Sequence, residues 1–330
     1  MTPRLLLIVF CTGAAGCGGV QSVLNPAGPQ ASSIATLTWW FFGVCAAAYV
    51  LTLAALGWAL LRRRETSDDA PGTGNRLGWI ITAATAVTVI VLVVLTVYSV
   101  AAGRGLTAPG GAGAITVDVI GHQWWWEFQY RDVSPNEWVN SPNELHIPVG
   151  IPVVLKATSR DVIHSFWVPN LHGKRDLIPG MVTHTWIQAD EPGVYRGQCA
   201  EFCGHQHAHM AFLVVAEPME QFLAWLQHQR AGAPQPANDL QKRGHDVFMQ
   251  GPCVMCHTIR GTPAGSRIGP DLTHVAGRQT IAAGTLPMTR GHLAGWIMDS
   301  QSIKPGNRMP PNLVHGEDLQ ALLAYIETLR

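Results

Sequence analysis

Residues 199–210 bring two cysteines, three histidines, a methionine and a glutamate into twelve positions. Thiolate and thioether are soft ligands, and imidazole suits copper, zinc and iron alike. Cys199 and Cys203 are four residues apart, so a turn can direct both sulfurs to one point. His207 and Met210 follow at spacings that let them close around the same point. These residue types at this spacing favour a copper site.

Three other chemistries fit part of the same stretch. A tetrahedral zinc site would use the cysteines and a histidine but would give Met210 no role. A disulfide between Cys199 and Cys203 would suit an oxidising compartment but does not account for the histidines. A redox dithiol is the third. The stretch by itself leaves these alternatives open.

A second motif, Cys253-Val-Met-Cys256-His257, has the spacing of a c-type haem attachment site. Two thiols three residues apart can reach the two vinyl groups of a haem, and the histidine that follows can supply an axial ligand. The same residue pattern also occurs in half of a zinc site or in a redox dithiol. The motif therefore predicts covalent haem, with those two alternatives beside it.

Composition favours a membrane-attached protein, because 47% of the residues are hydrophobic and only 13% are charged. Residues 38–61 and 78–102 contain no charged side chain, and each is long enough to cross a bilayer as a helix. The loop between them carries four arginines, which places it in the cytoplasm by the positive-inside rule. We therefore expect a transmembrane hairpin over residues 38–102, with both termini and the soluble domains on the extracytoplasmic side.

Residues 1–16 have the features of a bacterial lipoprotein signal peptide: a short basic start, an apolar run and small residues before Cys17. Cys17 would then be lipidated and would become the N-terminus of an extracytoplasmic segment over residues 17–37. Ala14 stands where such a signal usually has leucine. An ordinary signal peptide cleaved nearby, or an uncleaved anchor, is therefore the alternative.

Two soluble domains are expected after the hairpin. Residues 103–230 contain short runs of alternating apolar residues broken by Pro, Gly and Asn, a pattern typical of a β-sandwich or barrel. A helix over residues 218–229 would close this domain. Residues 231–237 form a linker by composition, and their two prolines favour a semi-extended spacer. Residues 238–330 form the last domain.

The stretch 199–210 resembles the binuclear copper A loop of cytochrome c oxidase subunit II, whose pattern is Cys-x-Glu-x-Cys-x3-His-x2-Met. Residues 121–130, Gly-His-Gln-Trp-Trp-Trp-Glu-Phe-Gln-Tyr, are similar to a second signature of that family. The resemblance covers nearly the whole chain. It implies a multidomain fold with a two-helix transmembrane hairpin, an all-β cupredoxin-like copper A sandwich and a fused all-α class I cytochrome c domain.

The resemblance implies a copper A centre of two coppers with two bridging thiolates, two imidazoles, a weak thioether ligand and a backbone carbonyl. The ligands would come from Cys199, Cys203, His164, His207, Met210 and Glu201. The Glu201 side chain would also bind a magnesium ion shared with subunit I. Trp124, the first aromatic residue of its run, would be the point at which electrons reach the copper.

In the cytochrome c domain, the resemblance implies covalent attachment of one haem c through Cys253 and Cys256. His257 would be one axial ligand of the iron, and the carbonyl of Pro270 would accept the proton on its other ring nitrogen. Met309 lies in a Gly- and Pro-rich loop that resembles the methionine loop of small cytochromes c. It would be the second axial ligand, which raises the potential and blocks oxygen binding.

These expectations describe the electron-input subunit of a bacterial haem–copper terminal oxidase. Electrons would pass from haem c to copper A and on to subunit I, which holds haem a and copper B, where oxygen is reduced to water with proton pumping. No residue of this chain is expected to catalyse that reaction. Subunit III would be a further partner, and the bc1 complex or another cytochrome c would be the donor.

Two alternatives stand beside this function. A copper A subunit of a nitric-oxide-reducing haem–copper enzyme would contain the same features, because the terminal acceptor lies on another chain. A copper-delivery protein, from a different class, also uses Cys-x3-Cys with a distant histidine, but it needs no haem. The balanced charge, with 22 basic and 22 acidic residues, does not suggest a nucleic-acid partner.

Overall fold

The computed structural model describes residues 20–62, 73–107, 115–131 and 138–330. The predicted signal peptide and Cys17 lie outside these residues. The chain divides into two compact units, one formed by residues 32–108 and the other by residues 1–31 together with 109–330.

Two long apolar helices account for the described part of the first unit, α1 (Pro29–Leu61) and α2 (Thr73–Thr107). α1 begins at a proline, whose fixed φ suits the first turn of a helix. Both helices are long and apolar enough to cross a membrane, as judged by length and composition, and their apolar windows are not buried inside the protein. They extend beyond the predicted spans, because an uncharged stretch marks the bilayer core and not the end of the helix. A surface this continuously apolar requires lipid or protein to cover it.

Within the described residues, ten strands form a sandwich of two five-stranded sheets. The first has the order β3-β2-β1-β5-β8 and the second β4-β10-β9-β6-β7. The strands are β1 (Ile115–His122), β2 (Trp125–Tyr130), β3 (Val139–Pro142), β4 (Glu144–Pro148), β5 (Val153–Ser159), β6 (His164–Trp167), β7 (Arg175–Leu177), β8 (Thr183–Ile187), β9 (Gly193–Cys199) and β10 (Ala211–Glu217).

Aromatic side chains fill the space between the two sheets. Trp126 and Phe128 from β2 pack against Phe212 from β10, with ring centroids 5.0 and 5.6 Å apart, and all three are fully buried. A Cβ atom on Gly197 of β9 would lie 2.1 Å from the Phe212 ring, so only glycine leaves room for this packing. The helix α3 (Met219–Arg230) closes the domain with Phe222 inside the core.

The last domain is helical, as predicted. Its helices are α4 (Asp239–Gln250), α5 (Arg290–Met298), α6 (Ser300–Ile303) and α7 (Gly316–Ile326), and a short hairpin joins β11 (Thr280–Ile281) to β12 (Leu286–Pro287). The first and last of these helices cross at Gly244, where a Cβ atom would lie 1.9 Å from the carbonyl oxygen of Ala321. Glycine at that position therefore permits the crossing that builds the helical core.

The predicted linker, residues 231–237, lies between α3 and α4 and runs along the helical domain. The Ala233 amide donates to the Arg260 carbonyl at 2.8 Å. The Arg260 guanidinium donates in turn to the carbonyls of Gln229 and Arg230, at 3.0 Å each. Because the helical domain holds this segment, it is not a free spacer.

Candidate copper and haem sites

Four side chains predicted as copper ligands meet at one end of the sandwich. The Cys199 and Cys203 sulfurs are 3.7 Å apart, and Cys199 Sγ lies 3.9 Å from His164 Nδ1. Cys203 Sγ lies 3.8 Å from Met210 Sδ. All four residues are buried, and the histidine and both thiols form a group whose donor atoms lie within 4.8 Å of one another. The fifth predicted side chain, His207, has Nδ1 3.6 Å from Cys203 Sγ.

Strand pairing explains how distant residues reach this site. His164 begins β6, Cys199 ends β9, and these strands are antiparallel neighbours in which Phe166 pairs with Cys199. The other three predicted ligand side chains lie on the loop between β9 and β10, and the Cys199 amide closes that loop by donating to the Met210 carbonyl at 2.9 Å. The loop is therefore fixed at both ends by the second sheet.

Asp161 orients the imidazole of His164. Its carboxylate lies 2.9 Å from His164 Nε2, which leaves Nδ1 directed at the cysteine sulfur. The same carboxylate accepts from the amides of Gln123 and Val162, at 2.7 and 2.8 Å. Although burial raises it, these three hydrogen bonds bring the pKa of Asp161 down to about 2. A carboxylate behind a ligand histidine fixes its tautomer and ring orientation.

The chemistry of the donor atoms fits copper better than it fits zinc, a disulfide or a redox dithiol. The sulfurs of Cys199 and Cys203 are too far apart for the S–S bond of about 2.05 Å. A zinc site would leave the fully buried Met210 thioether without a function beside the thiols. The hydrogen bond between the Cys199 and Cys203 sulfurs lowers the pKa of Cys199, against the opposing effect of burial, and the hydrogen bond with His164 adds to the lowering. The pair therefore favours one thiolate, at Cys199.

Glu201 presents its two functional groups in different directions. Its backbone carbonyl oxygen lies 3.2 Å from Cys199 Sγ, at the candidate copper site. Its carboxylate is 43% exposed and pairs with Lys174 Nζ at 3.2 Å. The carbonyl is thus available to a copper ion, whereas the carboxylate lies at the protein surface.

The predicted haem ligands also come together. Cys253, Cys256, His257 and Met309 all line a single cavity, whose apolar walls include Leu272, Val275, Leu293 and Ile297 of the helical domain. His257 Nδ1 lies 2.7 Å from the Pro270 carbonyl, so the other ring nitrogen is free to face a metal. Burial lowers the pKa of His257, which favours the neutral imidazole that binds iron. The cavity therefore fits a covalently attached haem.

Hydrogen bonds hold the methionine loop at this cavity. The Met309 amide donates to the Asn307 side chain at 2.7 Å, and its carbonyl accepts from Ser300 at 2.6 Å and Gln301 at 2.8 Å. Met255 also lines the cavity, but it sits between the two cysteines and is 64% exposed. Met309 is thus the methionine whose position is fixed by the fold.

The run of tryptophans joins the two sites. Trp126 is in the sandwich core, whereas Trp124 and Trp125 line the haem-type cavity. Trp124 Nε1 donates to the Cys203 carbonyl at 3.0 Å, and Gln123 Nε2 donates to the same oxygen at 2.8 Å. One side chain, Trp124, therefore contacts the copper-type loop and the haem-type cavity together.

Sequence reasoning missed three residues that join or support the sites. Asp161 lies three residues before His164, a spacing that could have suggested a supporting carboxylate. Lys304 and Arg308 both precede Met309, but only the folded chain shows that both reach the sandwich domain. Arg308 Nη2 lies 3.4 Å from Asp161 Oδ2. No local pattern in the sequence indicates these interdomain contacts, since their partners lie 95 to 180 residues apart.

A copper-type site in a sandwich and a haem-type cavity in a helical domain, preceded by two candidate membrane helices, define a membrane-attached electron-transfer protein. Comparison with known proteins leads to the same class. Residues 135–217 match the family profile described as cytochrome C oxidase subunit II, periplasmic domain, and residues 241–330 match the profile of cytochrome c.

One relative extends the match over nearly the full chain. Cytochrome c oxidase subunit 2 of Alkalihalophilus pseudofirmus is 34% identical over 99% of this chain and 96% of that protein. The same subunit of Bacillus sp. strain PS3 is 33% identical over 66% of this chain and 62% of that protein. The crystal structure of the periplasmic domain of subunit II of cytochrome oxidase (CoxB) of Bradyrhizobium japonicum is 29% identical, covers 37% of this chain and 97% of that one, and has a TM-score of 0.35.

The chain belongs to the cytochrome c oxidase subunit 2 family and carries a C-terminal cytochrome c domain. It is subunit II of a haem–copper oxidase, so subunit I is its partner. The fold class and the family expected from the sequence are both confirmed.

Proposed function

We propose that this chain accepts electrons at a haem c and delivers them through copper A to subunit I of a haem–copper oxidase that reduces oxygen and pumps protons. Both groups would supply reversible one-electron chemistry. The observation that carries the proposal is the position of Trp124, which contacts the Cys203 carbonyl and also lines the cavity of the haem ligands. The chain's own residues hold the two sites in one compact unit.

The proposed copper ligands are the thiolates of Cys199 and Cys203, the imidazoles of His164 and His207, the thioether of Met210 and the carbonyl of Glu201. A site of this kind, filled by protein ligands and fixed by strands, suits electron transfer, because little has to move when the charge changes. It leaves no position for a substrate. Asp161 would keep the His164 ring in place through each cycle.

The proposed haem ligands are Cys253 and Cys256, which attach the porphyrin, and His257 and Met309, which hold the iron. We further propose one haem and two coppers per chain, and a magnesium ion at Glu201 shared with subunit I. The exposure of that carboxylate at the surface supports this last role.

The assembly and placement of the chain complete the proposal. Subunit III would be a further partner, and the electron donor would be the bc1 complex or another cytochrome c. The arginines of the loop between α1 and α2 favour a cytoplasmic loop, with the termini and soluble domains outside the bacterial plasma membrane. Cys17 would carry a lipid.

Metal analysis and electron paramagnetic resonance of the purified chain test the core of this function. We expect two coppers and one haem c per chain, with a mixed-valence copper signal shared between two nuclei. A single zinc in place of copper would contradict the proposal, as would removal of copper without any change in electron transfer from the haem. A co-purifying many-helix subunit that contains haem a would identify the oxidase, whereas a partner that reduces nitric oxide would contradict the proposed acceptor.

A further inference from the structure

Lys304 is a lysine buried between the sandwich domain and the cytochrome c domain. It precedes the methionine loop, and only 2% of its surface is exposed. Its ammonium group donates to three backbone carbonyls, those of Trp124 at 2.9 Å, His209 at 2.7 Å and Ala282 at 3.0 Å. Three is also the number of donors that a lysine ammonium offers.

Burying an ammonium group away from water is unfavourable unless its hydrogen bonds are replaced. No carboxylate among the described residues pairs with Lys304, so the three carbonyls provide the replacement. Two of them, from Trp124 and His209, belong to the sandwich domain. If the domains separated, both acceptors would be lost together, and the side chain would keep one partner. The position of Lys304 therefore depends on docking between the domains.

The turn between β11 and β12 makes a second contact beside this lysine. Ala282 and Ala283 adopt left-handed backbone conformations, with φ of 54° and 58°, which non-glycine residues rarely adopt. The Ala282 carbonyl accepts a hydrogen bond from Lys304. The Ala283 carbonyl accepts from the Ala211 amide at 3.0 Å. Gly284 follows, and a Cβ atom there would lie 2.9 Å from the Cβ atom of Ala211.

Both contacts converge on the copper loop. Ala211 follows the proposed ligand Met210, and His209 precedes it. From the other domain, the Pro305 carbonyl accepts from Gln206 Nε2 at 2.7 Å. Three points of the loop region, at Gln206, His209 and Ala211, are therefore fixed against the cytochrome c domain. The loop of the proposed copper site is therefore held by the segment of the cytochrome c domain that leads to Met309.

We propose that Lys304 and the turn of residues 282–284 form a clamp that fixes the cytochrome c domain on the copper loop in one orientation, and that Lys304 is a positioning residue for electron transfer between the two sites. This role builds on the proposed function. The clamp makes the docked arrangement the resting state of the chain. The linker of residues 231–237 then does not need to bring the two domains together before each electron transfer.

Substitution of Lys304 by methionine tests the clamp, because it keeps the length of the side chain and removes its three donors. The full chain is compared with Lys242→Met, the same chemical change at an exposed position of α4. Hydrogen exchange is followed at the Gln279 amide, which donates across the interface to Glu144 at 2.6 Å. We expect exchange at least tenfold faster in the Lys304 variant and unchanged exchange in the control.

Electron transfer provides the second readout. After rapid photoreduction of the haem, we expect copper reduction to be at least tenfold slower in Lys304→Met, with the midpoint potentials, haem absorption and copper resonance signal unchanged. A purely structural role would alter those spectra or potentials together with the rate. Wild-type rates and exchange in Lys304→Met would overturn the proposal.

A second variant guards against misfolding of the first. Gly284→Ala places a methyl group against Ala211 and should raise exchange at Gln279 without touching the lysine. Unchanged exchange in both variants would reject the clamp. Because hydrogen exchange needs no bound metal, it also separates the two proposals: a chain without copper could still show the clamp, and a chain with both cofactors could lack it.

Discussion

At the residue scale, Met210 distinguishes a copper A site from the simpler alternatives. It is fully buried, with its sulfur 3.8 Å from Cys203 Sγ, and neither a zinc site nor a dithiol would require it. Replacing it by leucine keeps the volume and removes the sulfur. We expect an altered copper hyperfine pattern and potential with an unchanged haem spectrum, measured by electron paramagnetic resonance and optical titration. Met219→Leu, at the exposed start of α3, is the control, and an unaltered copper signal in Met210→Leu would exclude Met210 as a ligand.

Glu127 is a second residue whose chemistry can be tested, through pH. Burial raises its pKa, but hydrogen bonds from His122, Gln129 and Asn140 together outweigh burial and lower the pKa below the ordinary value of 4.5. A carboxylate with a lowered folded-state pKa stabilises the fold above the ordinary value, and this contribution is lost as the pH falls through the folded-state value. Glu127→Gln should therefore lower stability by about 2 kcal/mol at pH 7 and by less as the pH falls below 4.5.

Thermal unfolding of the sandwich, followed by near-ultraviolet circular dichroism at each pH, measures this difference. Glu191→Gln, at an exposed position, serves as the control and should show no such dependence. A constant difference between wild type and Glu127→Gln from pH 7 to pH 3 would contradict the assignment.

The residues that could be predicted from the sequence are those whose type and spacing are diagnostic. Cys199, Cys203 and His257 belong to short local patterns, and each lies beside other residues predicted for the same site. Lys304 could not be predicted, because a lysine in a loop usually faces water. Its burial depends on carbonyls of residues far away in the sequence, so only the folded structure identifies it.

At the scale of elements, the helical hairpin, the alternating strands and the helical domain were predicted in the correct order, because hydrophobic periodicity is a local property. The crossing of α4 and α7 was not, because it depends on the absence of a side chain at Gly244. A Cβ atom there would lie 1.9 Å from the Ala321 carbonyl oxygen, too close for either helix to keep its position. Glycine is therefore needed at this crossing.

The substitution Gly244→Ala tests this close approach. We expect a loss of about 3 kcal/mol of stability in the cytochrome c domain, because overpacking against backbone cannot be relieved by a side-chain rotation. Gly291→Ala is the matched control in α5, where nothing lies within 4 Å of the added methyl group. It should leave stability unchanged or raise it by about 0.5–1 kcal/mol through the helix preference of alanine. Equal effects of the two substitutions, measured by thermal unfolding of the haem-loaded chain, would show that the crossing tolerates a side chain.

At the scale of the whole molecule, the sandwich domain is net acidic and the cytochrome c domain net basic, a difference that by itself would favour docking by opposite charge. The interface has a different basis. Its ion pair joins the exposed Arg308 to the largely buried Asp161. Beside it lie the buried Lys304 and the hydrogen bonds that the Ala211 and Gln279 amides make across the interface. Salt screens exposed charges much more than buried contacts. Docking of this kind should depend on shape and hydrogen bonds and only weakly on ionic strength.

Changing the length of the linker distinguishes a clamped chain from one in which the linker alone brings the two domains together. If the tether alone brought the domains together, the effective concentration would fall as the linker lengthens, and electron transfer between the sites would slow with it. In a clamped chain the docked state persists whatever the linker length. Insertion of a twenty-residue Gly-Ser segment between Gln235 and Pro236 should therefore change the rate of copper reduction less than twofold in the wild-type background. The same insertion in Lys304→Met should slow it several-fold further than the substitution alone, because only there does the tether limit the encounter. Equal slowing in both backgrounds would show that the linker, and not the buried lysine, holds the two redox domains together.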